Sequence, residues 1–312
     1  MMYNQPRGAA LILAILVVAL AATIAAFMAG QQSLWTQQAG NLAARAQTRA
    51  LAHAAIDWTR GVLAEDARDS KADHLGEPWA SHLPTLPVLA GESASIGGAI
   101  YDQQALFNLN NLVRNGRDSD ADIALFKRLL AQLQLAPELV NPLLDWIDAD
   151  STVRFPGGAE NADYFQSDPP YRSANRPLLS VDELYRVRGF NRASIERLRP
   201  FATALPERSA INVNTASREI LLALLPDLVE TDISTLLEKR RSTFFSSQQD
   251  FRARLPRTAP ALRDEYFDIK SHYFLAVVQV RSPRADTAYH VLLARSASGG
   301  WPGIVWQQQL TE

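Results

Sequence analysis

Hydrophobic and polar positions change period three times along this chain. Ala9 to Ala29 (AALILAILVVALAATIAAFMA) is apolar and carries no charge. As a helix rising ~1.5 Å per residue, it is long enough to cross ~30 Å of hydrocarbon. From Gln31 to about Ala67 there is no proline, and Ala44, Thr48, Leu51, Ala55, Trp58 and Val62 recur in steps of three and four. Such steps keep them on one helical face, so a single helix is expected from Ala9 to about Ala67. Glu65 to Gly98, rich in Asp, Pro and Gly, reads as loop. Ser95–Tyr101 and Leu106–Leu109 flank Asp102–Ala105 as a short β-hairpin, and Asn110 or Asn111 is placed to cap the next element.

The helical period then returns. Asp118–Leu133 carries Ile123, Phe126, Leu129, Leu130 and Leu133 on one face, with acids in its first turn. Further helices are expected over Pro137–Ile147, after a capping box at Ser180–Glu183, over Asn191–Phe201, over Ala216–Leu225 behind an Asn214-Thr215 cap, and over Asp232–Arg241 and Gln248–Leu255. Asp148 to Asn175 is an irregular loop. Tyr273–Arg281, Ala288–Arg295 and Ile304–Leu310 read as three strands of an antiparallel meander. A three-strand sheet needs a cover. The Leu51/Ala55/Trp58/Val62 face of the long helix is the natural one.

The 312 residues suffice for a membrane helix and one large or two small domains. A formal charge of −2 gives no basic field for nucleic acid. There is no cysteine, so no disulfide holds the fold. Gly-x-Ser-x-Gly, P-loop and His-Glu-x-x-His patterns are missing, and the five histidines are scattered, so the chain does not read as an enzyme.

The short basic leader Met1–Gly8, ending in Pro6-Arg7-Gly8 directly before the apolar run, resembles the leader of type IV pilins and pseudopilins. That resemblance implies cleavage by a prepilin peptidase between Gly8 and Ala9, with the helix retained. The charge before the helix places the N-terminus in the cytoplasm. Most members carry Glu at the fifth mature position, where this chain has Leu13; a buried carboxylate in lipid is costly unless paired. That absence, with the Asp145-Trp-Ile-Asp-Ala-Asp150 run, the Pro156-Gly-Gly-Ala-Glu160 turn and the Asn175-Arg-Pro-Leu178 segment, resembles the minor pseudopilin K family of type II secretion systems. The resemblance covers nearly the whole chain. It implies an α+β fold: a pilin-like long helix on a small antiparallel sheet, with a large all-helical domain inserted between strands. The implied boundaries are 1–8 leader, 9–67 transmembrane and periplasmic helix, 68–112 plus 266–312 pseudopilin core, and 113–265 inserted α-domain. It further implies an inner-membrane, periplasm-facing structural protein capping the pseudopilus tip. Its partners would be minor pseudopilins I and J and, at the α-domain, an exported substrate. Leu13, Leu51, Ala55, Trp58 and Val62 are the candidate assembly residues.

Asp145, Asp148, Asp150, Glu160 and Asp163 crowd one loop, with Asp168 beyond. Such carboxylates repel unless solvated or neutralised, and Ca²⁺ takes six to eight oxygens. Asp148-x-Asp150 begins like an EF-hand loop, but Val153 and Ala159 stand where Gly and Glu are needed. An irregular Ca²⁺ site using Asp148, Asp150, Glu160, Asp163 and Asp168 is therefore expected, and the family resemblance implies calcium. The other reading is a solvated acidic loop fixed by Asn175 and Arg176. Ile211-Asn-Val-Asn-Thr-Ala216 echoes Phe107-Asn-Leu-Asn-Asn-Leu112, and nearby segments resemble helix-hairpin-helix units. Their hairpins lack paired glycines and one is acidic, which speaks against nucleic acid. A membrane-anchored nucleic-acid-binding protein and a metal-dependent periplasmic hydrolase remain the alternatives.

Overall fold

The computed structural model describes residues 7–81, 83–87, 94–296 and 300–310, with 7–9 and 83–87 as backbone only. Most of the leader, residues 1–6, lies outside the described residues. Helix α1 spans Arg7–Asp69 unbroken. By length and composition it is the one described helix able to cross a membrane. It runs two residues past Ala67, and Pro78–Ala80 forms a 3-10 turn, so the segment read as loop is partly ordered structure.

Five strands form one antiparallel sheet in sequential order: β1 (Leu83–Pro87), β2 (Ser95–Asp102), β3 (Tyr273–Arg281), β4 (Asp286–Ala294) and β5 (Gly303–Leu310). The meander is as expected, but the hairpin after Ser95 is not formed. β2 pairs with β3, from Ser95 opposite Arg281 to Asp102 opposite Phe274. Local pattern marked the strand; only tertiary pairing chose a partner more than 170 residues away. Gly98 is required there, since a Cβ would sit 2.3 Å from the Val277 carbonyl oxygen.

Alternate residues of β3 and β4 (Phe274, Ala276, Val278, Val280; Tyr289, Val291, Leu293) face α1 and bury Ala52, Ile56 and Leu63. Thr48 joins them through a 3.2 Å hydrogen bond between its hydroxyl and that of Thr287. The buried face is thus 48/52/56/59/63, about one residue, or ~100°, round from the expected one. Leu51, Ala55 and Val62 are half-buried at its edge beside Ala80 and Ile96, and Trp58 is 51% exposed. Ile56→Val is expected to cost about 1 kcal/mol through lost packing, and Trp58→Ala within about 0.5 kcal/mol. Chemical denaturation of both variants checks the difference.

Residues 103–272 enter and leave between adjacent strands β2 and β3. Helices α2 (Asp120–Gln132), α3 (Val140–Ile147), α4 (Asn161–Tyr164), α5 (Arg192–Leu198), α6 (Arg218–Leu224), α7 (Glu230–Ser242) and α8 (Gln248–Arg254) surround their own core. Phe107, Leu109, Leu112, Phe267 and Ile269 belong to that core, so by packing the helical domain extends beyond the 113–265 read from sequence at both ends. The expected Ser180 capping box is absent: Val181–Arg186 is a 3-10 turn, and the Glu183 carboxylate accepts from the Leu179 N–H. Ser217 rather than Asn214-Thr215 caps α6, Ser119 rather than Asn110 or Asn111 stands at the N-cap of α2, and Asn108 caps the 3-10 turn Leu109–Leu112. The asparagine echo is structural. Phe107–Asn108 pairs in parallel with Ala202–Thr203, and Ile211–Asn212 with Phe267–Asp268. The buried Asn108 and Asn214 hydrogen-bond backbone groups of distant segments, Glu207 and Leu205 for one, Phe245 for the other.

Candidate functional site

Among the described residues, two sets of three carboxylates are held with oxygens within 4.8 Å of one another: Asp66, Asp73 and Glu77, and Asp148, Asp150 and Glu160. They differ in what neutralises them. In the first, the buried Arg295 guanidinium donates to Asp66 Oδ2 at 2.7 Å and to Asp73 at 2.5 Å. The second lies in the loop between α3 and α4 and is less completely satisfied.

That loop starts where α3 ends at Ile147. Asp145, fully buried, accepts from the Arg154 and Ala159 N–H groups at 3.1 and 2.8 Å and from Arg154 Nη1 at 2.7 Å. Gly158 lets the loop close over it; a Cβ there would lie 2.3 Å from both the Arg154 carbonyl and Asp145 Oδ2. Arg154 also pairs with Asp118 and with Asp148 Oδ2. One guanidinium therefore serves three acids, and the surplus falls on Asp148, Asp150 and Glu160. Burial raises the pKa of Asp148 despite Arg154, and burial with the charges of Asp145 and Asp148 raises that of Glu160. Asp150 is exposed and moves the other way, held down by the Thr152 N–H.

Asp148 Oδ1, Glu160 Oε1 and Asn175 Oδ1 are buried and have no hydrogen-bond partner. Asn175 is fixed with φ +45° by its N–H on the Trp146 carbonyl. Buried acceptors without donors are costly, and oxygen-only, acid-rich surroundings suit a hard cation. The donor set thus fits Ca²⁺ through Asp148, Asp150 and Glu160. Two expected ligands stand apart. Asp163 caps α4 through the Glu160 N–H and pairs with Arg188 at 2.7 Å, and Asp168 is exposed outside the group. Sequence spacing put all five acids in one loop; the helical turn of α4 directs Asp163 elsewhere. Arg154 and Asn175 were legible only as residues among the acids, since nothing in spacing marks an orphaned oxygen.

On α1, Gly8 and Ala9 fall in the first turns. Leu13 is 67% exposed, with Leu34, Trp35 and Leu42 exposed beyond it. Residues 8–44 contain no charged side chain.

Family models described as "Type II secretion system (T2SS), protein K" match residues 105–207 and 211–270. Type II secretion system protein K of Pseudomonas aeruginosa is 32% identical over 292 residues, covering 89% of this chain and 86% of that protein. The Aeromonas hydrophila protein of the same name is 32% identical over 306 residues, covering 90% and 91%. In solved structures, a chain of the GspK-GspI-GspJ complex from enterotoxigenic Escherichia coli matches with TM-score 0.73 and 24% identity, over 86% of this chain and 97% of that one, and shares the fold. The sequence matches over nearly its full length make this chain a member of the type II secretion system protein K family, the minor pseudopilins K.

Proposed function

We propose that this minor pseudopilin caps the pseudopilus tip and helps initiate its assembly, as a structural component without catalysis. The observation that carries it is Leu13. Counted from Ala9 it is the fifth residue, where a shaft subunit needs Glu to pair with a neighbour's amino terminus. A leucine needs no neighbour above it. The bulk of residues 103–272, leaving the sheet between β2 and β3, obstructs addition on that side. In this reading α1 anchors the chain in the inner membrane, N-terminus cytoplasmic, and prepilin peptidase cuts between Gly8 and Ala9. The solved E. coli relative is in complex with GspI and GspJ, so minor pseudopilins I and J are the partners here. They pack along the exposed flank of α1 that carries Leu34, Trp35 and Leu42. The helical domain, with Phe155 94% exposed, is the surface an exported substrate would meet. Ca²⁺ held by Asp148, Asp150 and Glu160 cross-links the α3–α4 loop in a chain with no disulfide.

Intact-mass and N-terminal measurement from cells with and without prepilin peptidase tests the class: a chain beginning at Ala9 is expected only with the peptidase. Counting copies per isolated pseudopilus tests the position. About one copy, cross-linking to partners on one side only, is the expected result; many copies along the shaft would end the tip assignment.

A further inference from the structure

The other acidic cluster lies at the joint between the pilin-like core and the helical domain. Asp66 is on the last turn of α1, and Asp73 and Glu77 are on the strap just after it. Arg295 closes β4, and its Nη2 also donates to the Ser271 carbonyl at 2.7 Å, just before β3. Asp73 Oδ2 accepts from the Ser271 N–H at 2.7 Å, the Asp73 N–H donates to the Ile269 carbonyl, and Asn212 Nδ2 donates to the Asp73 carbonyl at 3.1 Å. Glu77 accepts from the His74 N–H and from Trp79 Nε1, each at 2.8 Å. The His74 ring stacks on Phe244 of the helical domain at 4.0 Å. The strap therefore ties α1, the sheet and the helical domain together.

Charge there does not balance. Asp66 and Asp73 pair with one buried cation, Arg295, while Glu77 has only the His74 ring, its Nε2 3.9 Å from Oε1. Glu65, Asp69 and Lys71 line an adjoining cavity of about 730 Å³, which Asp66, Glu77, Phe244 and Ser246 also line. Three carboxylates this close either keep a proton or, when all ionise, move apart. We propose that this joint is a proton-operated latch: with Asp66 protonated the strap stays closed on α1 and β4, and with Asp66 ionised it opens locally. The direction comes from the groups present. Burial, then Glu77 and Asp73, raises the Asp66 pKa to about 7, and Arg295 only partly offsets them. Once the strap opens, Asp66 is an ordinary solvated carboxylate titrating near ~4. Between these values the closed state binds the extra proton, so closing weakens as pH rises from ~4 to ~7 and is level above that.

The absence of cysteine makes the test direct. Spin labels go at Ala54→Cys on α1 and Leu75→Cys on the strap, both exposed, in the full chain in detergent. The distance distribution between them is measured from pH 5 to 8.5. A second, longer population is expected to grow by up to about tenfold per pH unit and to level off above pH 7. Asp66→Asn, the same shape without the charge, is expected to hold one short population throughout. A distribution in the labelled chain with Asp66 in place that does not change with pH overturns the latch. So does an equal pH response in the Asp66→Asn variant, which would assign the opening to another group.

Discussion

Arg295→Met is expected to destabilise the chain by roughly 3–5 kcal/mol, because it leaves buried carboxylates uncompensated. Arg295 is 6% exposed at its side chain, Asp66 7% and Asp73 3%. Its guanidinium also lies 4.8 Å from the Phe274 ring, so the loss includes packing. The Arg199–Asp182 pair has a similar 2.5 Å separation, but its side chains are 42% and 59% exposed. Arg199→Met is therefore expected to cost under about 1 kcal/mol. Denaturant titration of the full chain in detergent, monitored by tryptophan fluorescence, measures both. Equal losses would mean that burial does not control these pairs. Adding Asp73→Asn to Arg295→Met is expected to recover part of the loss, since it removes one of the stranded charges.

The second large effect concerns the α3–α4 loop. If Ca²⁺ binds the folded state at Asp148, Asp150 and Glu160, calcium at a hundred times its Kd adds about 2.7 kcal/mol. For a chain of this size that is a rise in Tm of roughly 4–5 °C. Chelation is expected to reverse it. Asp148→Asn with Glu160→Gln is expected to abolish it, while Asp163→Asn and Asp168→Asn leave it in place. Persistence of the shift in the double variant, or no shift in the unsubstituted chain, would remove calcium from this loop. Acid opposes binding, because Asp148 and Glu160 are the acids whose burial favours their protonated forms.

Local chemistry in the sequence decides much of this protein. An uncharged run from Ala9 to Ala29 becomes a helix whatever surrounds it, and steps of three and four carry α1 on to Asp69. The strands read over Tyr273–Arg281 and Ala288–Arg295 were legible to within two residues because alternation and turn residues act over a few positions. The crowding of acids between Asp145 and Asp163 was likewise plain. Tertiary structure decided what depends on distant partners. Which side of α1 is buried rests on where β3 and β4 lie, so Ile56 went inside and Trp58 stayed half outside. β2 joined β3 because Gly98 admits the Val277 carbonyl, not because of anything next to it in the chain. Among the five proposed metal ligands, the α4 turn and Arg188 withdrew Asp163. Asp66, Asp73 and Arg295 carried no shared signal, since their interaction exists only once chain segments more than 220 residues apart have met. Period, charge and turn chemistry are local properties of the chain; burial, and with it the pairing of charges, is settled by the fold.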